Sequence, residues 1–196
     1  MSGHIVAAQS LDTALIFTDL SHALPIGPLP LIGRQNSITH HLKDVVKKYL
    51  PDPPKAIVVI SAHWESDNDK IKITSSEKPS ILFDYYGFPP ETYHYEYPAR
   101  GDPDLATRIQ DYMNKEGIKS EKDNARGFDH GVFVPLLLMY PQAQIPVVCV
   151  SLHRSLDPVL HMKIGKALAP LREEQVLILG SGYTFHNMQV RLFSLA

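Results

Sequence analysis

The chain has 196 residues, and its 19 Lys and Arg residues against 21 Asp and Glu residues give a formal net charge of −2. This length is typical of one domain, so we expect a single domain over residues 1–196. The near-balanced charge excludes a broad basic surface for nucleic acid. No apolar run reaches the roughly 20 residues needed to cross a bilayer, and we see no signal-peptide pattern. We therefore expect a cytoplasmic protein without a membrane or nucleic-acid partner. Its one cysteine, Cys149, excludes an internal disulfide and an all-cysteine metal site.

Strand-like and helix-like segments alternate along the chain. Apolar and amphipathic patterns predict, in chain order, a strand at 13–18, a helix at 37–50, a strand at 55–61, a short edge strand at 71–74, an ordered loop at 80–100, helices at 103–116 and 132–140, a strand at 145–151, a helix at 158–171 and a strand at 175–180. Two of the helices begin with an Asp-Pro pair, which is a helix cap followed by proline at the first position. The alternation predicts an α/β fold: one domain with a central, mostly parallel sheet flanked by helices.

Three histidines lie just beyond the carboxyl ends of predicted strands: His22, His63 and His186. Ligand sites of open α/β sheets form at those ends, so distant residues can converge there. Three imidazoles with open positions left over can hold catalytic Zn(II) or non-haem Fe(II). A single loop histidine is more often only hydrogen-bonded, so the spacing leaves both a metal site and a structural role open.

A fourth histidine, His130, stands between Asp129 and Gly131 at the start of a predicted helix. A carboxylate beside an imidazole can orient it, and histidine is the usual acid–base group near neutral pH. Arg126, four residues earlier, can bind a substrate carboxylate or simply lie exposed in a loop.

A serine follows the last predicted strand, in Gly180-Ser181-Gly182. The position is similar to a nucleophile elbow, although the GxSxG pattern is not met and a tight turn is the commoner explanation. A hydrolase that uses Ser181 with His130 and Asp129, or a metal in the same pocket, is therefore a weaker alternative.

Several segments occur together in a characteristic order: SAHWE (61–65), DYYGFPPETY (84–93), YPARGDP (97–103), RGFDHGVFVPLLLMYP (126–141), IPVVCVSL (145–152) and GSGYTFHNM (180–188). Together they resemble the DODA-type class III extradiol ring-cleavage dioxygenases, a LigB-like superfamily that includes DOPA dioxygenases. The resemblance implies a LigB-like α/β fold and one metal ion, Fe(II), with zinc able to occupy the same site. It implies that both atoms of O2 enter a catechol-type aromatic, whose ring opens beside the two hydroxyls.

The resemblance also implies roles for single residues. His22 and His63 match metal ligands, and His186 matches a position that serves as a further ligand or as the acid–base histidine. His130 matches a pocket histidine that contacts substrate or oxygen. We therefore expect His22, His63 and His186 at the metal, His130 and His186 in catalysis, and Arg126, Asp129 and His130 at the substrate.

Two departures from the family pattern lead to further expectations. Ala23 stands where the first family motif has glycine, and an alanine would strain the loop if that position needs a positive φ. Family members also continue for several dozen residues past His186, so we expect the C-terminal part of the family domain to be missing. A non-catalytic, metal-binding descendant is therefore the main alternative. Apolar surface left uncovered by the missing part could be buried in a homo-oligomer.

Overall fold

The computed structural model describes residues 14–17, 37–86 and 88–182. The strands are β1 Ala14–Phe17, β2 Ala56–Glu65, β3 Ile71–Thr74, β4 Ser120–Asp123, β5 Val147–Leu152 and β6 Val176–Ser181. The helices are α1 Ser37–Tyr49, α2 Pro103–Lys115, α3 His130–Met139, α4 Pro158–Leu168 and α5 Pro170–Glu173, with a short 3-10 helix at Pro90–His94. Within these ranges, no helix has the length and apolar character that a bilayer span requires.

The described strands form one six-stranded sheet in the order β1-β6-β2-β5-β3-β4. Every neighbouring pair is parallel except β3 and β5, which pair antiparallel. The predicted α/β fold with a central, mostly parallel sheet flanked by helices is confirmed.

The central strands are apolar on both faces, as expected for a parallel sheet covered by helices on each side. Alternate residues of β2 enter different cores: Ile57 and Val59 pack with α1 and α3, whereas Val58 packs with α2 and α4. The helix α3 is buried almost all round, which is why its sequence lacks an amphipathic period. It lies under one face of the sheet, and its first residue is brought to the carboxyl end of β2.

Four of the predicted elements differ in the structure. The segment 71–74 is not an edge strand, because β4 pairs with its outer side and itself forms the edge. The strand β2 continues to Glu65, so His63 lies near the end of the strand and not after it. The predicted helix at 158–171 is divided into α4 and α5 at Ala169, and the predicted loop at 80–100 contains the short 3-10 helix.

Candidate active site

The candidate site lies at the carboxyl end of β2. Ser61 of β2 is in register with Ser181 of β6, and Ser181 is in register with Phe17 of β1. The strands β1 and β6 therefore end side by side next to Ser61, and β2 continues beyond them to Glu65. The carboxyl ends of parallel strands are where open α/β sheets place their ligands. The pairing of β2 with β5 shifts register between Ile60 and Glu65. Such irregularities often re-aim side chains beside active sites, and His63 lies within this one.

A buried carboxylate joins β2 to the start of α3. The Ser61 hydroxyl donates a hydrogen bond of 2.7 Å to Oδ1 of Asp129, and the Ser61 Oγ accepts one of 3.2 Å from the backbone N–H of His63. Oδ2 of Asp129 accepts a bond of 3.0 Å from the Arg126 guanidinium. Asp129 is almost wholly buried, and these contacts compensate the desolvation of its charge.

The guanidinium of Arg126 lies against the same part of β2. Its carbon is 5.2 Å from the centre of the Trp64 ring, within cation–π range. One of its nitrogens also approaches the backbone carbonyl of His63 at 3.4 Å. The contacts of Arg126 therefore link Asp129, Trp64 and the backbone of His63 into one unit.

A second carboxylate, Asp84, lies on His130. Its Oδ1 accepts the backbone N–H of His130 at 3.0 Å and lies 2.8 Å from Nδ1 of the same residue. Burial alone would raise the pKa of Asp84, but the hydrogen bonds and the charge attraction from His130 outweigh that effect and hold the pKa below its usual value. The N-terminus of α3 also favours a negative charge there.

His63 and His130 are neighbours. Their ring centres are 3.9 Å apart with the planes tilted by 48°, and Nδ1 of His63 lies 3.9 Å from Oδ2 of Asp84. The ligand atoms of His63, Asp84 and His130 all lie within 4.8 Å of one another, and this is the group that could hold a metal ion among the described residues. Two imidazoles and a carboxylate form a donor set that suits Fe(II) or Zn(II). A divalent metal therefore fits at this end of the sheet with His63 as a ligand, either in this group or in the set His22, His63 and His186 that the sequence predicts.

Aromatic side chains line the segment that carries Asp84. Phe83 contacts Phe133 of α3 edge to face at 6.1 Å, and Tyr85 packs edge-on to the His130 ring at 5.8 Å. The Tyr85 hydroxyl donates to the carbonyl of Thr92 at 2.6 Å, and burial raises the pKa of Tyr85 to about 12. The wall beside His130 is thus aromatic and neutral.

Residues 17–192 match the family described as the catalytic LigB subunit of aromatic ring-opening dioxygenase. The chain belongs to the LigB family. The membership inferred from the ordered segments of the sequence is thereby confirmed.

Curated relatives extend this match. The chain is 48% identical over 160 residues to the 4,5-DOPA dioxygenase extradiol of Beta vulgaris, covering 81% of this chain and 59% of that protein. It is 44% identical over 175 residues to Dioxygenase tasH of Hapsidospora irregularis, covering 85% of this chain and 53% of that one. The crystal structure of an uncharacterized protein from Escherichia coli K12 matches with a TM-score of 0.65 and 32% identity, covering 80% of this chain and 57% of that chain. The chain thus spans between half and three-fifths of the length of these relatives.

The structure brings together some of the predicted LigB site residues. His63 and His130 meet, and Arg126 and Asp129 lie beside them. His22 and His186, and with them the departure at Ala23, lie outside the described residues. Their roles remain predictions.

Two sequence expectations about side-chain partners change. The carboxylate on Nδ1 of His130 belongs to Asp84 and not to the adjacent Asp129, whose oxygens bind Ser61 and Arg126. The hydrolase alternative needed Asp129 to orient His130, so this geometry does not support it. Its proposed nucleophile, Ser181, is a buried residue of β6.

At Gly131, the second residue of α3, the helix lies so close to β2 that no side chain fits between them. A Cβ there would lie 2.5 Å from Oγ of Ser61 and 3.1 Å from Cδ2 of His63. We therefore expect Gly131→Ala to displace Ser61 and His63 and to destabilise the fold by about 1–3 kcal/mol. Urea unfolding measures this cost. Gly165→Ala is the control, because a Cβ at Gly165 meets nothing within 4 Å. Equal stability of the two variants would contradict the close approach.

Proposed function

We propose that this chain carries the catalytic site of a metal-dependent extradiol dioxygenase, which inserts both atoms of O2 into a catechol-type aromatic and opens its ring. The observation that carries the proposal is the pairing of His63 with His130, ring centres 3.9 Å apart, in a member of the LigB family. One of these histidines can bind a metal while its neighbour handles a proton. Relatives at 34–48% identity are named 4,5-DOPA dioxygenase extradiol, which favours a catechol as substrate.

The proposed metal ligands are His22, His63 and His186. His63 supplies its imidazole from the end of β2. Along the chain, β1 precedes His22 and β6 precedes His186, and the last residues of β1 and β6 are in register with Ser61 of β2. We propose Fe(II) as the working metal, with zinc able to occupy the same ligands. When bound, Fe(II) supplies open positions for the two catechol oxygens and the redox chemistry that O2 requires.

His130 is the proposed acid–base residue, and His186 is the second candidate for that role. Ring opening requires that a catechol hydroxyl lose its proton, and an imidazole is suited to accept that proton near neutral pH. His130 is buried and held by Asp84, so its ring does not need to be ordered when substrate enters. The side chains of Phe83 and Tyr85 form an aromatic wall beside it, against which an aromatic ring can pack.

Arg126 and Asp129 remain predicted substrate contacts. Their described contacts favour a different role, since Arg126 and Asp129 bind each other and the backbone or side chains of β2. We propose that the main role of this pair is to position His63. A substrate carboxylate would then be recognised through donors of Arg126 that Asp129 does not use. Cytoplasmic localisation and homo-oligomer formation also remain predictions.

Oxygen uptake tests the proposed function. The chain is loaded anaerobically with Fe(II) and given catechols, including DOPA and caffeate, with resorcinol as the control because its hydroxyls are not adjacent. We expect one O2 consumed per catechol and a visible-absorbing, ring-opened product, and no reaction with resorcinol. If the folded chain binds Fe(II) but consumes no O2 with any catechol, the proposed dioxygenase activity is wrong. That result would favour a non-catalytic, metal-binding role.

A further inference from the structure

One oxygen of Asp84 contacts two nitrogen atoms of His130. The same carboxylate oxygen accepts the backbone N–H at 3.0 Å and faces the ring Nδ1 at 2.8 Å. An ionised carboxylate can only accept hydrogen bonds, so the hydrogen between these atoms must be on Nδ1. In a neutral imidazole the lone pair then lies on Nε2.

The segment that carries Asp84 is anchored by backbone hydrogen bonds just before Asp84. Leu82 N–H donates to the carbonyl of Phe128 at 2.8 Å, and Phe128 N–H donates to the carbonyl of Ser80 at 2.8 Å. Gly127 permits this approach, because a Cβ there would lie 2.5 Å from the Ser80 carbonyl oxygen. The loop is thus fastened to the residues just before α3.

Side chains on either side of Asp84 add to this anchorage. Phe83 packs on Phe133, and Tyr85 is tied through its hydroxyl to Thr92. The side chain of Asp84 is only 19% exposed. The Asp84 side chain is therefore mostly covered although the residue as a whole is exposed, and its segment is anchored, as an orienting residue requires.

We propose that Asp84 is a positioning residue: it holds His130 in the Nδ1–H tautomer, so that Nε2 carries the lone pair that takes the substrate proton. This inference rests on the proposed function for the identity of that proton, but the tautomer can be tested without turnover. A carboxylate behind a functional histidine commonly fixes its tautomer and ring orientation. In this arrangement Asp84 acts through His130 and does not itself bind the metal.

The first test is the tautomer of His130 in the metal-free, ¹⁵N-labelled chain. Long-range ¹H–¹⁵N spectra distinguish protonated from unprotonated ring nitrogens, and the His130 signals are assigned by their loss in His130→Gln. We expect Nδ1 protonated and Nε2 unprotonated in the wild type. An Nε2–H tautomer in the wild-type chain would overturn the proposal whether or not the chain is an enzyme.

Two substitutions at Asp84 separate positioning from mere packing. Asp84→Ala removes the acceptor, so we expect the Nδ1–H signal to give way to an Nε2–H population. Asp84→Asn keeps a carbonyl oxygen that can accept from Nδ1, so we expect it to retain the wild-type tautomer. Asp111→Ala, at an exposed position of α2, is the control. An unchanged tautomer in Asp84→Ala would overturn the proposal, and if that variant fails to fold, the wild-type and Asp84→Asn spectra still decide it.

Kinetics and metal binding provide the second test. With an active catechol, we expect Asp84→Ala to lower kcat about 10–100-fold with little change in KM, and Asp84→Asn to recover most of that loss. Fe(II) affinity should stay near the wild-type value in both variants. Loss of Fe(II) binding in Asp84→Ala would instead indicate that Asp84 is a metal ligand, and it would overturn the positioning role. The place of Asp84 beside His63 and His130 also permits that outcome.

Discussion

Replacing His63 with alanine is expected to remove tight Fe(II) binding and catechol-dependent oxygen uptake together. His63 supplies one proposed ligand from the end of β2, and its backbone is held by Ser61. The loss should exceed the roughly 10–100-fold reduction typical of changing a residue behind a ligand, because a direct metal bond is removed. Its side chain is mostly covered and contacts the His130 ring, so the free energy of unfolding should fall by about 1 kcal/mol.

The measurements are bound iron after reconstitution, oxygen uptake and urea unfolding, each compared with two other histidine variants. His40→Ala changes an exposed residue of α1 and should behave as the wild type. His130→Ala should retain iron but lose turnover, because His130 is the proposed acid–base group. If the His63→Ala protein keeps its full iron content and full oxygen uptake, His63 is not a metal ligand.

The parts of the fold that could be predicted are those in which burial determines residue type. The strands β2, β5 and β6 are continuous apolar runs because helices cover both faces of the sheet. The strand β4, with the sequence SEKD, was missed because its residues are polar and largely unburied, and only its pairing with β3 makes it a strand. That pairing also makes the prediction of 71–74 as an edge strand wrong.

The candidate site was predictable where it depends on the ends of strands and helices. His63 was identified because it follows an apolar run, and His130 because it begins a helix. Asp84 was missed because it lies 46 residues from His130 in a loop without a period. The available signal was a single acid between aromatic residues in the segment 83–86. Asp129 was expected to orient His130 because the two are adjacent, but consecutive residues at a helix start point in different directions.

The ion pair between Asp129 and Arg126 leads to the largest expected loss of stability. Asp129 is only 2% exposed at its side chain and Arg126 is 21% exposed, and Nε of Arg126 is buried without a hydrogen-bond partner among the described residues. Asp129→Ala would leave the partly buried guanidinium without its carboxylate and the Ser61 hydroxyl without its acceptor. Breaking such a pair costs about 3 kcal/mol, so we expect a loss of that size in the free energy of urea unfolding.

A double-mutant cycle tests whether the loss comes from the pair itself. Arg126→Met alone leaves a buried carboxylate unpaired and should also destabilise the chain. The double variant with Asp129→Ala should cost less than the sum of the two, because it removes both charges together. Additive losses would mean that Asp129 stabilises the chain through Ser61 alone. In that case Arg126 and Asp129 would stabilise the chain independently, and the cost of Arg126→Met would come from the contacts of the guanidinium with Trp64 and the backbone of His63.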